Sequence, residues 1–180
     1  SWGTTAEPDG NVVECFEPSP AFGESPTLFA GTAAGLWRSD DGGQSWNAVD
    51  GLPAANVVDI ALAPAFPDDP TLSVIAGSSE VYRSTDGGGT WEIVVPVQPS
   101  IDPGVLAIAP DFELDRMWVG TVGGSVLLSD DRGESWVQVT PQLGPGQPLE
   151  EPVQDILPLS ANEVLAIASD HAVLCSSNGG

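Results

Sequence analysis

Hydrophobic residues occur along this chain in short runs separated by turns rich in Gly, Asp, Ser and Pro. The run GLWR at 35–38 precedes one such turn and WNAV at 46–49 follows it, while GVLAIAP at 104–110 and RMWVGT at 116–121 form another pair. Short apolar or alternating runs bounded by turn residues are typical of β-strands. The chain also has 21 Gly and 17 Pro in 180 residues, more than long helices tolerate. The pattern therefore predicts an all-β protein.

One eight-residue motif organises the chain. It reads SDDGGQSW at 39–46, STDGGGTW at 84–91 and SDDRGESW at 129–136, with its tryptophans 45 residues apart both times, and an incomplete copy, SSNGG, stands at 176–180. Each copy lies between two apolar runs, so it predicts the turn of a hairpin, where Asp accepts backbone hydrogen bonds and Gly permits positive φ. Two further strands precede each hairpin, which gives four strands per repeat.

Four antiparallel strands repeated about every 45 residues are typical of a β-propeller blade, because one such sheet must stack on neighbours to bury its faces. The motif resembles the repeat of the Asp-box, or BNR-repeat, propellers, whose consensus is Ser-x-Asp-x-Gly-x-(Ser/Thr)-Trp. That family includes sialidases, xyloglucanases, sortilin-like receptors and photosystem assembly factors. The resemblance implies a structural role at the blade periphery for Ser39, Asp41, Gly43, Trp46, Ser84, Asp86, Gly88, Trp91, Ser129, Asp131, Gly133, Trp136, Ser176, Asn178 and Gly180.

The repeats predict a single propeller domain over residues 1–180. The strands of a blade are lettered A to D in chain order, with the box between C and D. Blade 1 covers 10–55, blade 2 covers 56–101, blade 3 covers 102–145, and 146–180 supply strands A to C of blade 4. Ser1 and Trp2 match the last two positions of a box, so residues 1–9 are predicted to be a closing strand D. That strand completes blade 4 within its own chain or in a neighbouring copy, and a fragment of a longer propeller is a third alternative.

The charge balance of the chain argues against some classes of binding partner. There are 26 Asp and Glu against 4 Arg and no Lys, for a formal net charge of -22. Such a surface repels phosphate groups, so we expect neither nucleic acid nor an anionic membrane surface as a partner. No apolar run is long enough to cross a bilayer, so no membrane insertion is expected. With 41% hydrophobic residues the chain can still bury a core.

No set of residues predicts a catalytic, cofactor or metal site. Sialidases need an arginine triad and a Tyr nucleophile, whereas the single tyrosine, Tyr82, aligns with Trp37 in a core position, and the single histidine, His171, stands in a predicted loop. The box aspartates lack the ligand spacing of calcium loops. A glycoside hydrolase, which needs two carboxylates, is the enzymatic alternative, with Asp59 and Asp155 as first candidates.

The sequence favours a non-enzymatic scaffold for protein binding or self-assembly, as a homo-oligomer or a filament that shares strands. A carbohydrate-binding or glycoside-hydrolase-related propeller is the alternative. Cys15 and Cys175 predict either a disulfide or two unpaired residues. The family resemblance and the cysteine pair favour a secreted, cell-surface or periplasmic location.

Overall fold

The computed structural model describes residues 8, 11–53, 56–77, 80–95, 102–108, 116–160, 162–169 and 173–177. These residues form strands and turns, and they contain no helix that could span a membrane. Ser1, Trp2, His171, Asn178 and Gly180 fall outside the described residues, so the predicted closing strand and the end of the fourth box lie outside them too. The predicted all-β class is confirmed.

Three sheets have four strands each, in the order of the chain, as predicted for propeller blades. Blade 1 consists of β1 (Val13–Pro18), β2 (Leu28–Thr32), β3 (Gly35–Ser39) and β4 (Asn47–Ala48). Blade 2 consists of β5 (Val57–Leu62), β6 (Leu72–Ala76), β7 (Glu80–Ser84) and β8 (Glu92–Val95). Blade 3 consists of β9 (Pro103–Ile108), β10 (Met117–Thr121), β11 (Val126–Ser129) and β12 (Val137–Val139).

The fourth sheet has three strands among the described residues, namely β15 (Val153–Pro158), β16 (Val164–Ala168) and β17 (Val173–Ser176). These are the predicted strands A to C of blade 4. A small hairpin of β13 (Gln142–Gly144) and β14 (Gln147–Pro148) precedes them. The sequence pattern did not predict this hairpin, which spans the predicted boundary between blades 3 and 4.

The blades share one pairing register, which makes their positions directly comparable. In blades 1, 2 and 4 the first strand has an irregularity at the same place, for example between Val13 and Cys15 of β1. Beyond it, Phe16 pairs with Ala30, and its counterparts Ile60 and Ile156 pair with the equivalent residues of β6 and β16. The same alignment makes Gly31 of blade 1 equivalent to Gly120 of blade 3.

The chain divides into two compact units. Unit 1 comprises Ser1–Gly77 and Tyr82–Glu92, and its core packs Phe29 and Leu36 of blade 1 with Val57 and Ile60 of blade 2. Unit 2 comprises Ser78–Val81 and Ile93–Gly180. Its core packs Trp118 and Val126 of blade 3 with Val153, Ile156 and Val164 of blade 4. Each core therefore lies between two successive blades.

Glycine allows the blades to approach closely within each unit. A Cβ atom built on Gly31 would lie 2.8 Å from Val57 Cγ1, and one built on Gly120 would lie 2.7 Å from Val153 Cγ1. Real Cβ atoms do not come this close to carbon, so a side chain here would push the next blade away. The two glycines thus set the spacing between blades.

Candidate functional site: the Asp boxes and the open edge of blade 4

The three complete boxes have one hydrogen-bond pattern. In the first box, Ser39 Oγ donates to Asp41 Oδ1 at 2.8 Å and accepts from the Gly43 N–H at 2.8 Å. The same carboxylate accepts from the backbone N–H of Ser45 at 2.8 Å and from its hydroxyl at 2.6 Å. The boxes around Asp86 and Asp131 repeat these bonds. One carboxylate thus holds the whole turn together.

The hydrogen bonds keep the box aspartates ionised. The pKa of Asp86 is lowered to about 2, chiefly because its carboxylate accepts the backbone N–H of Thr90, with the Ser84 and Thr90 hydroxyls adding to the effect. The pKa values of Asp41 and Asp131 are also lowered to about 2, chiefly by the hydroxyl groups of Ser45 and Ser135. A carboxylate engaged by so many internal donors is suited to holding a turn rather than to acid–base chemistry.

The tryptophans that end the second and third boxes contact their own turns. Trp91 Nε1 donates to Gly88 O at 3.1 Å, as Trp136 does to Gly133 O at 3.0 Å. A Cβ atom built on Gly88 would lie 3.6 Å from the Trp91 ring and 2.8 Å from Val49 Cγ1 of blade 1. Residues at the end of blade 1 therefore contact the box turn and the tryptophan of blade 2.

Among the described residues, β17 is the last strand of the fourth sheet. Within the part of the chain that the structure describes, β17 pairs with β16 and with no strand on its other side. Beside it lies a groove of about 290 Å³, with Trp118, Val139 and Pro141 on the side of blade 3 and Ile156, Val164 and Leu174 on the side of blade 4. Its lining is mainly apolar.

The groove lies at the position where, in unit 1, the tryptophan of a box packs against the preceding blade. Val139 and Pro141 follow Trp136 at the same spacing at which Val49 and Gly51 follow Trp46. Trp91 sits beside Val49 and Gly51 in unit 1, with its Cδ1 4.0 Å from a Cβ atom built on Gly51. In unit 2 the equivalent residues, Val139 and Pro141, line the groove.

The two carboxylates singled out from the sequence lie at equivalent positions on first strands, but in different units. Asp59 is half-buried in β5 of unit 1, and Asp155 is exposed in β15 of unit 2. The structure therefore does not describe them as one pair. The described residues contain no group of three or more acidic, His or Cys side chains placed to hold a metal ion.

Sequence reasoning missed Glu17, a half-buried carboxyl on β1. Its pKa is raised to about 7, first by burial and second by the negative charge of Asp59. Its counterparts in the next two blades are Ala61 and Ala107, so Glu17 is an acid at an otherwise apolar position of the repeat. This acidic residue at an apolar position of the repeat is the sequence feature that could have pointed to Glu17.

Three arginines are paired inside the blades. Arg38 and Arg83, which precede successive boxes, form ion pairs with Asp40 at 2.9 Å and Glu92 at 2.6 Å. Arg116 pairs with Asp130 at 2.5 Å and stands over the Trp118 ring. Each of these three arginines thus forms an ion pair within its own blade.

Both cysteines carry free thiols in the structure. Cys15 is half-buried, with its Sγ 3.8 Å from Val57 O, and its pKa is raised to about 12 mainly by burial. Cys175 is exposed in β17.

The family comparison agrees with this geometry. The profile of the BNR/Asp-box repeat family matches residues 37–48 and 82–92, which hold the first two boxes. The chain carries BNR/Asp-box repeats. The third box has the same hydrogen bonds but places Arg132 at φ 58°, where the first two have Gly42 and Gly87.

Two curated relatives belong to different functional classes. Xyloglucanase Xgh74A of Acetivibrio thermocellus is 28% identical over 146 residues, which cover 63% of this chain and 17% of the relative. Photosystem II assembly lipoprotein Ycf48 of Synechococcus sp. (strain CC9902) is 27% identical over 94 residues, which cover 52% of this chain and 27% of the relative. The matches thus span less than a third of either relative.

Solved structures confirm the propeller fold. A structure of YCF48 bound to D1 peptide matches 100% of this chain and 55% of its own, with a TM-score of 0.68 and 20% identity. The GH74 xyloglucanase of Xanthomonas campestris matches 99% of this chain and 31% of its own, with a TM-score of 0.71 and 20% identity. At this level of identity the likeness concerns the fold alone.

Proposed function

We propose that this BNR/Asp-box propeller is a non-enzymatic protein-binding scaffold, and that the apolar groove beside β17 takes up a segment of its partner. The observation that carries the proposal is this groove of about 290 Å³ between blades 3 and 4. A concave, mainly apolar pocket is suited to taking up an apolar or aromatic side chain of a partner.

The groove favours one kind of side chain. It lies where the repeat places a box tryptophan, and its lining of Trp118, Val139 and Leu174 is apolar. The preferred segment is therefore one with a tryptophan, which enters the groove. The similarity to a YCF48 structure with a bound peptide supports a protein partner.

The acidic surface fits this role. A net charge of -22 keeps assemblies soluble and favours partners that are basic or bridged by cations. We also propose a secreted or cell-surface location, for which the lipoprotein relative Ycf48 gives support.

A peptide titration tests the proposed function. The probe is a synthetic peptide with the sequence of residues 135–140, SWVQVT, and its control carries Ala in place of Trp. We expect the tryptophan peptide to shift the NMR signals of the β17 amides and the control to shift them much less. If neither peptide perturbs β17 at millimolar concentration, the groove is not a binding site.

Glu17 favours a second candidate function, a glycoside-hydrolase-related one. A carboxyl with its pKa raised to about 7 suits a general acid, and two xyloglucanases are similar to the chain. Incubation with xyloglucan and assay of reducing ends tests it. We expect no release, whereas release that disappears in Glu17→Gln would establish the alternative.

A further inference from the structure

Three Asp–Gly dipeptides occur among the described residues, namely Asp41–Gly42, Asp50–Gly51 and Asp86–Gly87. In such a dipeptide the backbone nitrogen of glycine can attack the aspartate carboxyl carbon without an enzyme, because glycine has no side chain to keep the two atoms apart. The reaction needs a nitrogen and a carboxyl group that can approach each other, and the carboxyl group must be protonated. The surroundings of each dipeptide therefore decide whether it reacts.

The two dipeptides in the Asp boxes are held at both reacting groups. Each carboxylate accepts a hydroxyl group and a backbone N–H of its own box. These bonds, chiefly those from the Ser or Thr before the tryptophan, lower the pKa of both aspartates to about 2. The Gly42 N–H donates to Pro26 O at 3.0 Å. In the second box the Gly87 N–H donates to Pro70 O at 3.0 Å.

The third dipeptide differs at both groups. Asp50 and Gly51 form an exposed turn that follows β4, so the carboxyl group of Asp50 can rotate in the solvent. Unlike Gly42 and Gly87, Gly51 has no backbone partner for its N–H within the described part of the chain. The two reacting groups of this dipeptide can therefore approach each other.

We propose that Asp50 is a site of spontaneous isomerisation, at which the main chain comes to run through the side-chain carboxyl group. The hydrogen bonds of the Asp boxes protect the other two dipeptides from the same change. The chain thus contains one reactive and two protected copies of the same dipeptide among its described residues.

The reaction has two steps. The Gly51 nitrogen first forms a bond to Asp50 Cγ, and the carboxyl OH leaves with the amide proton as one water molecule. The product is a five-membered succinimide ring. Water then adds to one of the two ring carbonyl groups and breaks its bond to nitrogen. When the ring opens at the Asp50 main-chain carbonyl, the chain stays linked through Cβ and Cγ, the main-chain carbonyl becomes a free carboxylate, and the mass of the protein is unchanged.

The turn that carries Gly51 packs against the box of the next blade. Gly51 has φ 87°, and a Cβ atom built on it would lie 3.3 Å from Gly89 O and 4.0 Å from Trp91 Cδ1. Isomerisation lengthens the main chain by one methylene group beside this contact, and a close-packed contact must shift to admit it. We expect isomerised molecules to have a lower thermal midpoint than unmodified ones.

Incubation of the full chain for several weeks in the warm at mildly acidic pH tests the proposal. Chymotrypsin, which cleaves after large apolar residues such as Trp46 and Leu52, then releases Asp50 in a separate peptide. Mass spectrometry with electron-transfer fragmentation, which breaks the additional backbone bond of isoaspartate, measures the isomer at each site. We expect at least about tenfold more isoaspartate at Asp50 than at Asp41 or Asp86. Lowering the pKa of a carboxyl group from 3.8 to about 2 makes its protonated form more than tenfold rarer.

Two controls separate the structure from the dipeptide itself. In guanidinium chloride the three dipeptides have no fixed surroundings, so we expect similar amounts of isoaspartate at all three. The variant Asp50→Glu keeps the negative charge but would have to form a larger ring. We expect its thermal midpoint to stay constant during the incubation while that of the wild type falls.

Two results overturn the inference. If isoaspartate forms at Asp50 in guanidinium chloride but not in the folded chain, the turn after β4 holds Asp50 as firmly as the boxes hold their aspartates. If all three dipeptides of the folded chain isomerise equally, the hydrogen bonds of the boxes give no protection.

Discussion

At the scale of single residues, the box aspartate is the most heavily used side chain of the repeat. Asp86 accepts the Ser84 hydroxyl at 2.8 Å, the Thr90 N–H at 2.8 Å and the Thr90 hydroxyl at 2.8 Å. In Asp86→Asn an amide N–H₂ group replaces one acceptor, so a donor meets a donor. We expect the thermal midpoint to fall by several degrees. The exposed Asp50→Asn is the control, and equal midpoints for the two variants would contradict the structural role.

The same residue predicts a response to acid. The pKa of Asp86 is lowered from its ordinary value of 3.8 to about 2 by its hydrogen bonds in the fold, so the charged form is the one that the fold stabilises. Its contribution is fully present above about pH 4 and is lost as the pH falls toward 2. Between pH 4 and pH 2 the urea midpoint of the wild type should fall more steeply than that of Asp86→Asn. Parallel curves would argue against this assignment.

Glu17 predicts the opposite dependence on pH. Its pKa is raised from 4.5 to about 7 by burial and then by Asp59, so the fold stabilises the neutral form. The free energy of unfolding therefore decreases as the pH rises from about 4.5 to 7. Glu17→Gln removes this loss, so at pH 8 it should be more stable than the wild type by on the order of 1–2 kcal/mol after solvent screening. Urea unfolding at pH 8 and pH 4 measures this, and a gain as large at pH 4 would refute it.

At the scale of elements, the spacing between blades depends on glycine in the second strand. A Cβ atom built on Gly120 would lie 2.6 Å from Val105 Cγ1 and 2.7 Å from Val153 Cγ1. We expect Gly120→Ala to cost about 1–3 kcal/mol of unfolding free energy, because a packed interior must shift to admit the methyl group. Gly104→Ala is the control, since its nearest neighbour is 3.7 Å away. Chemical denaturation compares the two, and equal values would contradict the close approach.

The strands and turns of the blades could be predicted from the sequence because each is encoded locally. An Asp, two Gly and a Trp at fixed spacing specify the hairpin, and the apolar runs on either side specify its strands. The hairpin of β13 and β14 could not be predicted in this way. Its strands are short and lack the alternation that marks a strand, and the only sign of it is the wider spacing between Trp136 and Val153.

The candidate site could be predicted only in part, because its features arise between blades. The box residues follow from the motif, but the raised pKa of Glu17 depends on the burial that neighbouring strands impose. The repeat pattern alone marks Phe16 and Val173 as core positions. Their exposure depends instead on which blade faces pack against a neighbouring blade. Local pattern specifies the blade, and contacts between blades specify the site.

At the scale of the whole molecule, we expect a partner segment to bind in the groove between blades 3 and 4. Leu174→Asp places a charge in the lining of the groove, where the bound segment would bury it. Val122→Asp is the matched control, because Val122 is 47% exposed and does not line the groove. We expect the first variant to lose binding of the peptide SWVQVT and the second to bind it like the wild type.

The central claim is tested most directly by titrating the wild type with the peptide SWVQVT and following the NMR signals of the residues that line the groove. We expect the tryptophan peptide to shift these signals and Leu174→Asp to abolish the shift. No shift in the wild type at millimolar concentration, or an equal shift in Leu174→Asp, would contradict the claim.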